Sequence, residues 1–136
     1  MYQIGLSRTF RARHFLVGGD WGPENSLHDH DYRVEWILEG PELDQHGFLL
    51  DLVAVEGHLK NAIGEVRERT LNELAAFEGL NPSLEHLTRH LSGRLTDTRN
   101  QWDPDYRLKF STVKVFEKPD AWASWVSALP AFGAPL

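Results

Sequence analysis

The chain has 136 residues, 41% hydrophobic and 25% charged, which is the size and balance of one globular domain spanning 1–136. A formal charge of −6 without a basic cluster argues against general nucleic-acid binding, and no apolar run approaches the length a bilayer demands. The absence of cysteine excludes disulfides, thiolate metal ligands and a cysteine nucleophile. Met1-Tyr2-Gln3-Ile4 carries no basic region followed by an apolar stretch, so the cytoplasm is the expected compartment. Five tryptophans point to large buried faces, a subunit interface among them.

Residues 2–15 read as a strand, with Tyr2, Ile4, Leu6, Phe10, Ala12 and His14 in one phase. Residues 16–27 form a loop punctuated by glycine and proline, a natural place for catalytic side chains. A second strand runs over about 29–39 and is broken by Gly40-Pro41. Residues 47–51 look like a short extended run, after which Asp51 caps a helix reaching about Glu68. Its apolar positions Leu52, Val55, Leu59, Ile63 and Val66 keep one face. After a loop or irregular helix over 72–80, a second helix begins at Asn81-Pro82, with Asn81 as cap and Leu84, Leu87, Leu91 and Leu95 as a core stripe. Asp103-Pro104 closes the helical region. Tyr106 to Glu117 is a third strand, residues 118–120 a turn, residues 121–127 a fourth strand, and 129–136 an irregular tail. Two strands, two helices and two strands imply an α+β fold, an antiparallel sheet with helices on one face.

The chemistry concentrates where the first two strands meet. His28 and His30 point the same way, because side chains in a strand repeat every second residue, and they share the phase of Tyr32, Val34, Trp36 and Leu38. Alone, such a pair is most often a solvated strand start. With His14 from the neighbouring strand it becomes three imidazoles, the ligand set of a catalytic zinc whose fourth position stays free. The other histidines, His46, His58, His86 and His90, read as surface residues. Glu117 shares the phase of Val113 and Val115, which favours burial over a solvated strand-end charge.

Phe10-Arg11-Ala12-Arg13-His14-Phe15-Leu16, His28-Asp29-His30-Asp31-Tyr32, Gly47-Phe48-Leu49-Leu50-Asp51, Leu71-Asn72, Asn81-Pro82-Ser83-Leu84-Glu85 and Val115-Phe116-Glu117 occur in an order and spacing that resembles the 6-pyruvoyltetrahydropterin synthase / 6-carboxytetrahydropterin synthase family. The resemblance covers nearly the whole chain. It implies the β-β-α-α-β-β tunnelling fold. It also implies trimers closing a twelve-stranded barrel, hexamers of two trimers with sites between subunits, and zinc-dependent action on 7,8-dihydroneopterin triphosphate. Carried across by position, it implies zinc on His14, His28 and His30, a pterin held by Glu117, and substrate contacts from Ser83 and Glu85.

Three departures stand out against that pattern. Asp29 replaces the family's glycine between the paired histidines, Glu24 stands at the position of its catalytic cysteine, and Arg67 and Glu68 replace its Asp-His pair. Glu24 is therefore the expected base and Glu68 a second acid/base group. Some relatives with a glutamate near that cysteine position cleave the side chain to 6-hydroxymethyl-dihydropterin. The sequence supports a zinc-dependent lyase first, a zinc-containing pterin-binding protein without turnover second, and a metal-free antiparallel domain third.

Overall fold

The computed structural model describes residues 1–133. Residues 134–136 of the expected tail lie outside the described residues; 129–133 are irregular, with a turn at the end. In chain order the elements are β1 Tyr2–His14, a 3₁₀ turn over Gly22–Asn25 that carries Glu24, β2 His28–Gly40, α1 Leu52–Gly64, 3₁₀ turns over Leu71–Glu73 and Ala75–Phe77, α2 Leu84–Thr96, the single turn α3 Arg99–Trp102, β3 Phe110–Lys118 and β4 Ala121–Ala128. The four strands form one antiparallel sheet in the order β1-β2-β3-β4. The expected α+β architecture is the observed one. Among the described residues no helix is long and apolar enough to cross a membrane.

Alternation explains the strands. Tyr32, Val34, Trp36 and Leu38 of β2 are buried in one core cluster with Val113 and Val115 of β3. Leu87, Leu91 and Leu95 of α2 and Val55, Leu59 and Ile63 of α1 cover that face. Trp36 and Trp102 meet edge to face at 5.1 Å, and their indole N–H groups donate to the Ser111 hydroxyl and the Leu95 carbonyl. Trp21, Trp122 and Trp125 remain exposed, so only two of the five tryptophans serve this core. Gly40 ends β2 where a Cβ would stand 2.9 Å from Leu108, so that the chain can turn against the core.

Several boundaries differ from the sequence reading. Residues 47–51 form bends instead of an extended run, because the Asp44 carboxylate accepts from the backbone N–H groups of His46 and Phe48 and closes a turn. Asp51 caps α1 as expected, accepting from Val53 N–H at 2.9 Å, but the helix stops at Gly64. Turns follow, and Glu68 takes a left-handed backbone with φ 58. The cap of α2 is Ser83, whose hydroxyl accepts from His86 N–H, while the Asn81 side chain is engaged by Val17 N–H. β3 starts at Phe110 and not at Tyr106, because the buried Asp103 carboxylate, paired with Arg99, takes the N–H groups of Arg107 and Leu108. His58, His86 and His90 are half-buried and only His46 is fully exposed; the His86 ring contacts the Asn81 carbonyl, and His90 packs against Phe77.

Candidate metal centre and adjoining cleft

The β1–β2 register builds the centre. His14 lies directly opposite His28, and His30 lies opposite Ala12, the small fully buried residue one step before His14 on the same face. Directly paired residues of antiparallel strands approach closely, and the three rings stand 4.5, 4.9 and 5.1 Å apart between centroids.

Backbone carbonyls set the tautomers. The Nδ1 of His14 is 2.7 Å from the Pro82 carbonyl, and the Nδ1 of His28 is 2.7 Å from the Ser26 carbonyl. A carbonyl oxygen can only accept, so each Nδ1 carries the proton and each Nε2 presents its lone pair. The Nε2 atoms of His14, His28 and His30 are all buried without a hydrogen-bond partner among the described residues. One such orphan is uncommon in a folded protein, and three facing one another are the arrangement a cation resolves. With the Glu24 carboxylate, their ligand atoms all lie within 4.8 Å of one another. These residues could hold a metal ion.

Burial also lowers the basicity of His14, with the neighbouring imidazoles adding to the effect and the Pro82 contact opposing it. Burial lowers His90 as well. Both rings therefore bind protons more weakly folded than unfolded. Their contribution to stability is fully present above the unfolded value, about 6.5, and is lost as pH falls through the folded values. The metal-free protein should lose thermal stability over an interval that opens at about pH 6.5 and runs downward, its onset lying above the range where ordinary carboxylates titrate. A melting temperature flat across that interval, read by circular dichroism, would contradict the burial of these rings.

The surroundings pin the ends of the metal-bearing strands. Asn72 pairs with the backbone of Phe15 in both directions, accepting from its N–H at 3.0 Å and donating to its carbonyl at 2.9 Å. Asn25 accepts from Trp21 N–H and donates to the Leu16 and Gly19 carbonyls, closing the loop that carries Glu24. β3 pairs with β2 only from Arg33 onward, so the edge of residues 28–32 is left open by β3. A cleft of about 480 Å³ lies there, lined by residues 29–31 and Arg33 of β2 and by residues 116–119. Glu117 sits at an irregularity in the β3–β4 register, the kind of bulge that re-aims a side chain, and is half-buried. The phenol of Tyr32 is pushed above its ordinary value, first by burial and then by the charges of Glu117 and Glu24.

A family model described as 6-pyruvoyl tetrahydropterin synthase matches residues 3–127. The chain belongs to the 6-pyruvoyl tetrahydropterin synthase family. No curated protein matches it. Among solved structures, a 6-pyruvoyl tetrahydropterin synthase from Caenorhabditis elegans is 18% identical, with 93% of this chain and 96% of that one aligned at a TM-score of 0.80. A Plasmodium vivax 6-pyruvoyltetrahydropterin synthase is 14% identical over 93% of this chain and 98% of that one, with a TM-score of 0.73. That structure is of a variant with cysteine in place of a glutamate described as its catalytic residue. An uncharacterised Wolinella succinogenes protein is 18% identical over 91% of this chain and 97% of that one, at a TM-score of 0.68. At these identities the structural likeness establishes the fold.

Within this synthase-family fold, the structure gathers His14, His28, His30 and Glu24 at one point, and Glu117 lines the same cleft as His30. Ser83 and Glu85 lie at the start of α2, next to the Pro82 carbonyl that orients His14; the Ser83 hydroxyl is committed to the cap and Glu85 is exposed. Glu68 stands apart from the histidines, with its carboxylate 3.8 Å from Arg13 and 59% exposed. The orienting carbonyls of Ser26 and Pro82 and the role of Asn25 were not legible beforehand. A main-chain carbonyl leaves no residue-type signal, and an asparagine in a glycine-rich loop reads only as a turn residue.

Proposed function

We propose that this chain is a zinc-dependent lyase acting on the side chain of a dihydropterin, 7,8-dihydroneopterin triphosphate or a close relative. The observation that carries the reading is the convergence of three buried, unpartnered Nε2 atoms beside a carboxylate. His14, His28 and His30 are the proposed zinc ligands. Zinc bound there would polarise a neighbouring hydroxyl or carbonyl and acidify the adjoining C–H.

The chain's own residues do the rest. Glu24 is the proposed base, since its Oε2 lies at the histidine cluster on a loop fixed by Asn25. Support comes from the P. vivax synthase, where a glutamate is described as the catalytic residue. Glu117 is the proposed anchor of the pterin ring, because a carboxylate can accept from two adjacent N–H groups at once. A ring held there would direct its side chain along the cleft toward His30. Ser83 and Glu85 are proposed to meet the substrate from the first turn of α2, which Pro82 ties to His14. A glutamate at the base position favours cleavage to 6-hydroxymethyl-dihydropterin as the second reading. Turnover of 7,8-dihydroneopterin triphosphate by the zinc-loaded protein tests the proposal.

Glu117→Gln keeps the shape but turns one acceptor into a donor facing the pterin N–H groups. Binding should weaken by about 1.5–3 kcal/mol, the scale of a charged hydrogen bond, with zinc content unchanged. Equal affinities in a fluorescence titration would remove Glu117 from the site.

Assembly is part of the same proposal. Among the described residues, only the C-terminal end of β1 is covered along its outer edge, by Glu68 to Thr70, and β4 exposes Trp122, Trp125 and Val126 at the other edge. Open edges of this kind are normally paired or covered. A trimer, or a hexamer of two trimers, is the expected species, and a monomer mass by light scattering at micromolar concentration would contradict it.

A further inference from the structure

We infer that Glu24 is a fourth protein ligand of this centre, so that the metal site is closed at rest and opens only when the loop carboxylate leaves. The inference rests on the metal reading above and adds a resting state to it. Glu24 Oε2 stands 2.9 Å from His28 Nε2. The Ser26 carbonyl holds the proton of that ring on Nδ1, so Nε2 faces the carboxylate with a lone pair. Two lone-pair carriers that close repel unless a cation lies between them. Moreover, the approach is not aligned as a hydrogen bond, which leaves Nε2 unpartnered among the described residues.

The same geometry holds for the whole set. His14, His28, His30 and Glu24 offer four ligand atoms within 4.8 Å of one another. Tetrahedral zinc binds imidazole and carboxylate at about 2.0–2.2 Å, which sets its ligand atoms roughly 3.3–3.6 Å apart. A short inward movement of flexible side chains completes that sphere. The other acidic groups nearby are placed differently. Asp31 is paired with Arg11, Glu68 with Arg13, and Glu117 lies outside the cluster.

Mobility divides the four ligands. The histidines sit on paired strands, with His14 only 2% exposed. Glu24 comes from the loop between those strands, and its side chain keeps 46% of its exposure. It is the ligand that can depart. A site closed by four protein ligands resists exogenous ligands, whereas one with three ligands keeps an open position. Departure of Glu24 would convert the first into the second and free the carboxylate as a base in the same motion.

The test needs no pterin. Zinc affinity is measured by competition with a chromophoric chelator for the wild-type protein, Glu24→Gln and Glu24→Ala. The cobalt(II)-loaded forms are then titrated with azide and read by their visible absorption. Removing even an outer partner of a metal ligand commonly costs 10–100-fold in affinity, so Glu24→Ala should lose at least about 10-fold. It should also take up azide at roughly tenfold lower concentration than the wild type, with Glu24→Gln between the two. Equal zinc affinity in all three proteins would overturn the inference and leave the three-histidine site standing. A fall in zinc affinity with unchanged azide response would overturn it too, since Glu24 would then act only as a nearby charge. A wild-type protein that holds no zinc would remove the metal reading and this inference together.

Discussion

Replacing His28 or His30 by alanine should strip the metal from the protein. The wild type is expected to carry about one zinc per chain, the stoichiometry of a single three-histidine centre, and each variant a small fraction of that. The two residues are chosen because their loss can be separated from loss of the fold. Both are half-buried and lie at the end of β2 beyond its pairing with β3. His14 is a poorer choice, being 2% exposed and tied to the Pro82 carbonyl. Truncating it would leave that carbonyl without its donor, a cost of roughly 1–3 kcal/mol. Metal analysis after gel filtration, beside far-ultraviolet circular dichroism, gives the readout. Full zinc occupancy in both folded variants would mean that the three unpartnered Nε2 atoms do not mark a metal site.

Glu24→Gln should lower turnover by about 10²–10⁴-fold, the range that general-base catalysis typically contributes. The assay is run with zinc in excess, so that any weakening of the metal site does not enter the rate. The amide keeps the size of the side chain and its place in the loop held by Asn25. What it loses is the ability to take a proton. Dihydropterin affinity should remain close to that of the wild type, because the ring is anchored at Glu117. Full turnover in the variant would place the base elsewhere, and Glu68→Gln would then be the next substitution to assay.

How much of this was legible in the sequence follows from where the information lies. Strict alternation from Tyr32 to Leu38 placed β2 to within a residue at each end, and with it the shared face of His28 and His30. Joining His14 to that pair needed only adjacency of the first two strands, which their succession along the chain favours. The element boundaries that moved were governed by hydrogen bonds between particular side chains and the main chain. Asn81 looks like a helix cap by residue type, but Val17 takes its side chain and Ser83 does the capping. Tyr106 to Lys109 has the composition of a strand, but the buried Arg99–Asp103 pair gathers that segment before β3 begins. Glu68 illustrates the limit for the site. Position along the chain marks a candidate acid/base group, but it does not reveal that the backbone turns left-handed there and sets the carboxylate beside Arg13. The contact between Glu24 and His28 was out of reach for a related reason. It depends on how a glycine-rich loop folds back, and periodicity carries no information about such loops.

The central claim, zinc-dependent chemistry on a dihydropterin side chain, is tested most directly by incubating the zinc-loaded protein with 7,8-dihydroneopterin triphosphate and identifying the products by mass spectrometry. A chelator-treated sample serves as the control. The account predicts a dihydropterin that has lost either its triphosphate or part of its side-chain carbon, formed only by the zinc-loaded protein. Unchanged substrate after many enzyme equivalents of time, from protein shown to hold its zinc, would contradict it and leave a pterin-binding protein without turnover as the reading that stands.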